Sequence, residues 1–144
     1  LLEVDERDVM SRPSFDDAFM AMAVTFSARS TCARLRVGAV IAGADGRQVF
    51  AGGYNGNASG LPNKCDSDEP GACGCLHAEM NAVAQAALYG VSIKDADIYT
   101  NTYPCWNCAK ALLSGGIQTV YVDKDYNNDA RVEEAFKGRI VRVG

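Results

Sequence analysis

From residue 77 onward the chain repeats one arrangement three times, a run of helix formers followed by a short β-prone run. "AEMNAVAQAALY" (78–89), stopped by Gly90, precedes "ADIYTN" (96–101). Pro104 pre-sets the first turn of a helix through about Ser114, stopped by Gly115 and Gly116, and "IQTVYV" (117–122) follows. "NDARVEEAF" (128–136) then leads into "RIVRV" (139–143). Strands separated by helices of this length imply parallel pairing, with helices laid over the sheet.

The first half adds a helix and a hairpin. Ser14 and Asp17 form a capping-box pattern, and Phe15, Phe19, Met22, Ala23 and Phe26 recur at helical spacing, which predicts a helix over 15–29. "VGAVIA" (37–42) and "RQVFAGG" (47–53) flank Asp45-Gly46, a strong hairpin signal, so they should pair antiparallel. Residues 54–76 are rich in Gly, Pro, Asn and Asp and have no periodicity; a loop this long in a compact domain has a job or a staple. The order α-β-β-α-β-α-β-α-β predicts a five-stranded mixed β-sheet with helices on both faces, a three-layer α/β/α fold. At 144 residues this is one domain, read as 12–144 after an N-terminal extension at 1–11.

A net charge of −4 and a pI near 4.9 argue against a surface for duplex or other nucleic-acid polymers, which need clustered Lys and Arg. A small anionic ligand needs only local cations, and "RSTCARLR" (29–36) concentrates three arginines; alone, that run would be a solvated basic turn. No apolar stretch approaches the roughly 20 residues that span a bilayer, and "LLEVDERDVM" carries acid where a secretory signal would be apolar. A cytoplasmic protein is expected. Its six cysteines then read as thiols or metal ligands, although an even count also allows three bridges.

Cys105 and Cys108 stand at i and i+3 on a helix N-terminus, where the helix dipole and free amides favour thiolates. His77, the only histidine, begins another helix, and the intervening strand can bring the two helix starts together. Three such ligands leave a zinc ion an open fourth position, the arrangement of a catalytic site, and zinc makes hydroxide available near neutral pH. Glu79, two residues from His77, is placed to move the protons. H-x-E with P-C-x-x-C is the general signature of zinc deaminases, in which the Glu is not a ligand. A lone C-x-x-C would be redox-active or half of a structural zinc site, and a lone His an ordinary residue.

With these motifs in place, the chain resembles the deoxycytidylate (dCMP) deaminases of the cytidine deaminase superfamily. The resemblance runs through "RPSFDDAFM", "RSTCARLRVGAVI", "GGYNG", "LHAEMNA", "GVSIKDADIYTNTYPCWNCAK" and "GGIQTVYVDKDY", nearly all of residues 12–127. It implies a cytidine-deaminase-like fold, hydrolysis of dCMP to dUMP and ammonia for thymidylate synthesis, and a homo-hexamer activated by dCTP and inhibited by dTTP with Mg2+. By position, Asn55 would hold the deoxyribose, the backbone at Ala78 and at Thr102 to Tyr103 the pyrimidine, and Arg34 and Tyr126 the phosphate. Without the family, Asn55 reads as a turn residue.

Members of the family often carry a second zinc near the long loop. Here Cys32, Cys65, Cys73 and Cys75 are the residues left to hold it, with buried thiols as the plain alternative. The loop between "NKC" and "HAE" is shorter than the family pattern. Two other functions stay open: another zinc deaminase, acting on cytidine, deoxycytidine, dCTP or tRNA adenosine, and a non-catalytic zinc-binding nucleotide sensor. An intact Glu79 argues against the sensor, which has no need of a proton shuttle.

Overall fold

The hydroxyl of Ser14 accepts the backbone N–H of Asp17 at 3.1 Å, so the first helix, α1 (Phe15–Ser27), starts where its sequence predicts. The computed structural model describes residues 11–67, 69, 73–125 and 128–143; of the extension expected at 1–11, only Ser11 falls among them. After α1 come β1 (Gly38–Ala42), β2 (Val49–Tyr54), α2 (Ala78–Leu88), β3 (Asp97–Thr102), α3 (Trp106–Ser114), β4 (Thr119–Lys124), α4 (Ala130–Ala135) and β5 (Ile140–Arg142). This is the order that the sequence predicts.

The five strands form one sheet in the order β2-β1-β3-β4-β5. β1 pairs antiparallel with both β2 and β3, whereas β3 with β4 and β4 with β5 are parallel. Parallel pairing therefore follows α3 and α4 as expected. The connection through α2 does not join neighbours, because it carries the chain past β1.

β1 is buried along its whole length, and its side chains alternate between two cores. Val40 and Ala42 meet Phe19, Met20 and Ala23 of α1 on one face. Ala39 and Ile41 join Ile98, Val120 and Val122 on the other, under Ala82, Leu112, Val132 and Phe136 of the remaining helices. These are the three layers that the sequence predicts. Gly38 lets α1 lie flat on the sheet: a Cβ there would stand 1.9 Å from the carbonyl oxygen of Ala23.

Several boundaries differ from expectation by one or two residues: α1 ends at Ser27 rather than 29, β4 spans Thr119–Lys124 rather than 117–122, and α4 spans Ala130–Ala135 rather than 128–136. Pro104, expected in the first turn of α3, lies before it: Cys105 occupies the N-cap, where its sulfur accepts the backbone N–H of Cys108 at 3.5 Å. Among the described residues no helix is long and apolar enough to cross a membrane.

Candidate active site and metal centre

Two helix starts face each other at one edge of the sheet. His77 is the N-cap of α2 and Cys105 the N-cap of α3. Gly53 of β2 lets α2 come close, since a Cβ on it would be 2.7 Å from the backbone nitrogen of Ala82 and 2.9 Å from the carbonyl oxygen of Ala78. The side chain of Asn81 fixes that approach by donating to the carbonyl of Tyr54 at 2.8 Å.

The result is a three-donor cluster. His77 Nδ1 lies 3.5 Å from Cys105 Sγ and 3.3 Å from Cys108 Sγ, and all three donor atoms fall within 4.8 Å of one another. Tetrahedral zinc, with Zn–N of about 2.0 Å and Zn–S of about 2.3 Å, holds nitrogen and sulfur about 3.5 Å apart. Both nitrogen–sulfur separations suit such an ion. The Cys105 thiol is pushed down to about 4, first by hydrogen bonding from Cys108 and then from His77, so a thiolate forms readily. Bonding to Cys105 raises the His77 value in turn.

Glu79 lies in the first turn of α2, 4% exposed, with its carboxyl within hydrogen-bonding reach of Cys108. Burial raises its pKa above the ordinary carboxylate range, which suits a group that must both take and give a proton.

A cavity of about 200 Å³ opens beside these residues. His77, Ala78, Glu79, Thr102, Tyr103, Cys105, Asn55 and Arg34 all line it, so the structure gathers in one place nearly every residue expected at the site. Cys108 is buried behind the cavity, and Tyr126 lies outside the described residues. Asn55 is not idle in this arrangement. Its Oδ1 accepts the N–H of Val37 at 2.8 Å and its Nδ2 donates to the carbonyl of Leu35 at 2.6 Å, leaving one lone pair and one N–H for a ligand.

Sequence reasoning passed over Leu35 and Val37, which line the cavity, and Asn101, which holds the same segment from the other side. Asn101 Oδ1 accepts the N–H of Gly38 at 2.9 Å and its Nδ2 donates to the carbonyl of Arg36 at 3.2 Å. An Asn near the end of a strand, poorly suited to a pleated sheet, was the available signal.

The four remaining cysteines form a second cluster against the same cavity. Their sulfurs lie within 4.8 Å of one another: Cys32 to Cys73 and Cys65 to Cys73 are 3.8 Å apart, and Cys65 to Cys75 is 3.3 Å. A disulfide needs about 2.05 Å, whereas thiolates around one tetrahedral zinc stand about 3.8 Å apart. All six cysteines are free, so the three-bridge alternative does not hold. The N–H of Ala33 donates to Cys65 Sγ at 3.2 Å. Burial opposes ionisation of Cys32, but backbone bonds from Leu35 and Arg34 bring its thiol down to about 7.

Residues 13–124 match the family model described as the cytidine and deoxycytidylate deaminase zinc-binding region. ComE operon protein 2 of Bacillus subtilis is 38% identical over 93% of this chain and 72% of its own length. The deoxycytidylate deaminase of Schizosaccharomyces pombe is 37% identical over 92% of this chain; the chain spans only 44% of that enzyme. Among solved structures, the dCMP deaminase of the cyanophage S-TIM5 in complex with dCMP and dUMP superposes with a TM-score of 0.81 at 28% identity, over 92% of this chain and 98% of that one. A family match over most of the domain, carried by a histidine, a glutamate and two cysteines that the fold draws together, means that the chain belongs to the cytidine and deoxycytidylate deaminases.

Proposed function

We propose that the chain hydrolyses dCMP to dUMP and ammonia. The observation that carries the reading is the meeting of His77, Cys105 and Cys108 beside a buried Glu79 at the wall of one cavity. Named relatives and the dCMP- and dUMP-bound phage enzyme support this substrate.

In this reading His77 Nδ1 and the thiolates of Cys105 and Cys108 would hold the zinc, which when bound would make hydroxide available at neutral pH. Glu79 would take one proton from the attacking water and pass it to the ring nitrogen, then take the second proton from the newly added hydroxyl and pass it to the departing amine. Backbone at Ala78, Thr102 and Tyr103 holds the pyrimidine, Asn55 uses its free N–H and lone pair on the sugar, and Arg34 with Tyr126 meets the phosphate. Water supplies the new carbonyl oxygen and the amine leaves as ammonia, so atoms balance without a co-substrate.

Cys32, Cys65, Cys73 and Cys75 hold a second, structural zinc that staples the 54–76 loop, in support of which stand their sulfur separations. The reading extends to a cytoplasmic homo-hexamer that responds to dCTP and to dTTP with Mg2+. The deciding experiment measures ammonia release from dCMP, deoxycytidine, dCTP and a tRNA anticodon stem by zinc-loaded protein. A marked preference for dCMP is the expected result. Preference for another substrate would move the chain to a sister enzyme, and no turnover on any would favour a nucleotide sensor.

A further inference from the structure

The match to the family model ends at residue 124, yet side chains from beyond that point reach back to Tyr103, which lines the cavity. We propose that Glu133 and Arg142 are positioning residues that act through Tyr103. The inference rests on the deaminase reading in one respect, that the backbone at Tyr103 forms part of the pyrimidine wall.

Tyr103 follows the last residue of β3, lines the cavity and is 5% exposed. Its backbone N–H donates to the carbonyl of Lys124 at 3.0 Å, and its phenol donates to Glu133 Oε2 at 3.1 Å. Arg142 Nη2 lies 3.6 Å from that same carboxylate oxygen, while Arg142 Nε is 3.4 Å from Asp125 Oδ1. The guanidinium carbon stands 5.7 Å from the centre of the Tyr103 ring. Tyr103 is thus tied at both ends, by its amide to β4 and by its phenol to α4, with an arginine of β5 against its ring.

Neither Glu133 nor Arg142 lines the cavity. Tyr103 is the cavity-lining residue that both of them touch. Glu133 is presented from a fixed base, since Val132 beside it on α4 and Phe136 at the helix C-cap are wholly buried. A residue at the end of a strand can turn about its backbone, and a ring anchored at its far end removes that freedom. A binding group displaced by about 1 Å loses on the order of a hundredfold in rate, so such an anchor matters more to the site than to the fold. The half-exposed Arg142–Glu133 pair, with side chains 47% and 44% exposed, adds little to stability by itself.

The test compares wild type, Glu133→Ala, Glu133→Gln, Tyr103→Phe and the Tyr103→Phe/Glu133→Ala double variant, all as zinc-loaded full chains with dCMP. Two quantities are read: the KM and kcat of each, and amide hydrogen exchange at Tyr103. Glu133→Ala should raise KM about tenfold with kcat nearly unchanged, and should speed Tyr103 exchange about tenfold while Val120 and Val122 keep their rates. Glu133→Gln, which still accepts the phenol hydrogen, should recover most of both. In the Tyr103→Phe background the alanine change should add nothing. Unaltered Tyr103 exchange in Glu133→Ala, or an equal effect with and without the phenol, overturns the proposal. Wild-type protein inert toward dCMP would overturn the deaminase reading alone, because the exchange comparison decides the positioning role without turnover.

Discussion

Gly53 and Ala82 approach so closely that a Cβ on the glycine would lie 2.7 Å from the backbone nitrogen of the alanine. The neighbour is main chain of α2, which cannot yield as a flexible side chain would. Gly53→Ala should therefore push the start of α2 outward, taking His77 and Glu79 with it. A loss of about 1–3 kcal/mol in stability is expected from the overpacking, together with weaker zinc retention. Denaturant melts and metal analysis of the purified variant check both, and unchanged metal content would show that the helix start absorbs the strain.

Glu79→Gln keeps the size of a buried side chain and removes its ability to carry protons. Zinc should remain bound, since Glu79 is not among the three clustered donors. Turnover should fall by about 10²–10⁴-fold, the usual share of a general acid–base group. Ammonia release and zinc content measured on the same preparation separate loss of chemistry from loss of metal.

If the four-cysteine cluster holds an ion, undamaged protein carries two zinc ions per chain. Cys65→Ser should then lose one and keep the other, because Cys65 belongs only to the second cluster. The melting temperature should drop by about 10 °C, roughly 3 kcal/mol for a domain of this size. One zinc per chain in wild type would leave these residues as ordinary thiols.

Asp97 predicts a pH dependence of stability. It is 8% exposed and its Oδ1 finds no hydrogen-bond partner among the described residues. Burial raises its pKa, the charge of Asp16 adds to the rise, and bonds from Thr119 oppose it. A carboxyl with a raised folded pKa binds its proton more tightly in the folded state. Its contribution is therefore fully present below the unfolded value of about 3.9 and is lost as pH rises through the folded value. Asp97→Asn should gain stability relative to wild type between about pH 4 and pH 7, with little difference in stronger acid. Denaturation curves across that range test the sign directly.

The parts of the site legible in the sequence are those set by local spacing. Cys105 and Cys108 are three apart, a spacing that puts both on one side of a helix start, and His77 and Glu79 are only two apart at the start of another helix, so each pair is brought to the site by one short segment. The hairpin at Asp45-Gly46 and the cap at Ser14 were likewise local. Contacts across long separations were not readable in this way. Cys32 and Cys73 are 41 residues apart and Tyr103 and Glu133 are 30 apart, and no periodicity links either pair. Asn55 was legible as a cavity residue only through family resemblance. Its hold on Leu35 and Val37 depends on where β1 begins, which only the assembled sheet decides.

The placement of β1 between β2 and β3 has a metric consequence. Running antiparallel to both, it makes them point the same way, so Asn55 just past β2 and Thr102 at the end of β3 emerge on one edge of the sheet. Two inter-strand spacings, about 9.5 Å, then separate the strand end before Asn55 from the strand end at Thr102. A strand that contributes no reacting group is thus the ruler of the site. Loops can be lengthened or trimmed to admit a different nucleotide, but the span between those two ends is set by the backbone ladder.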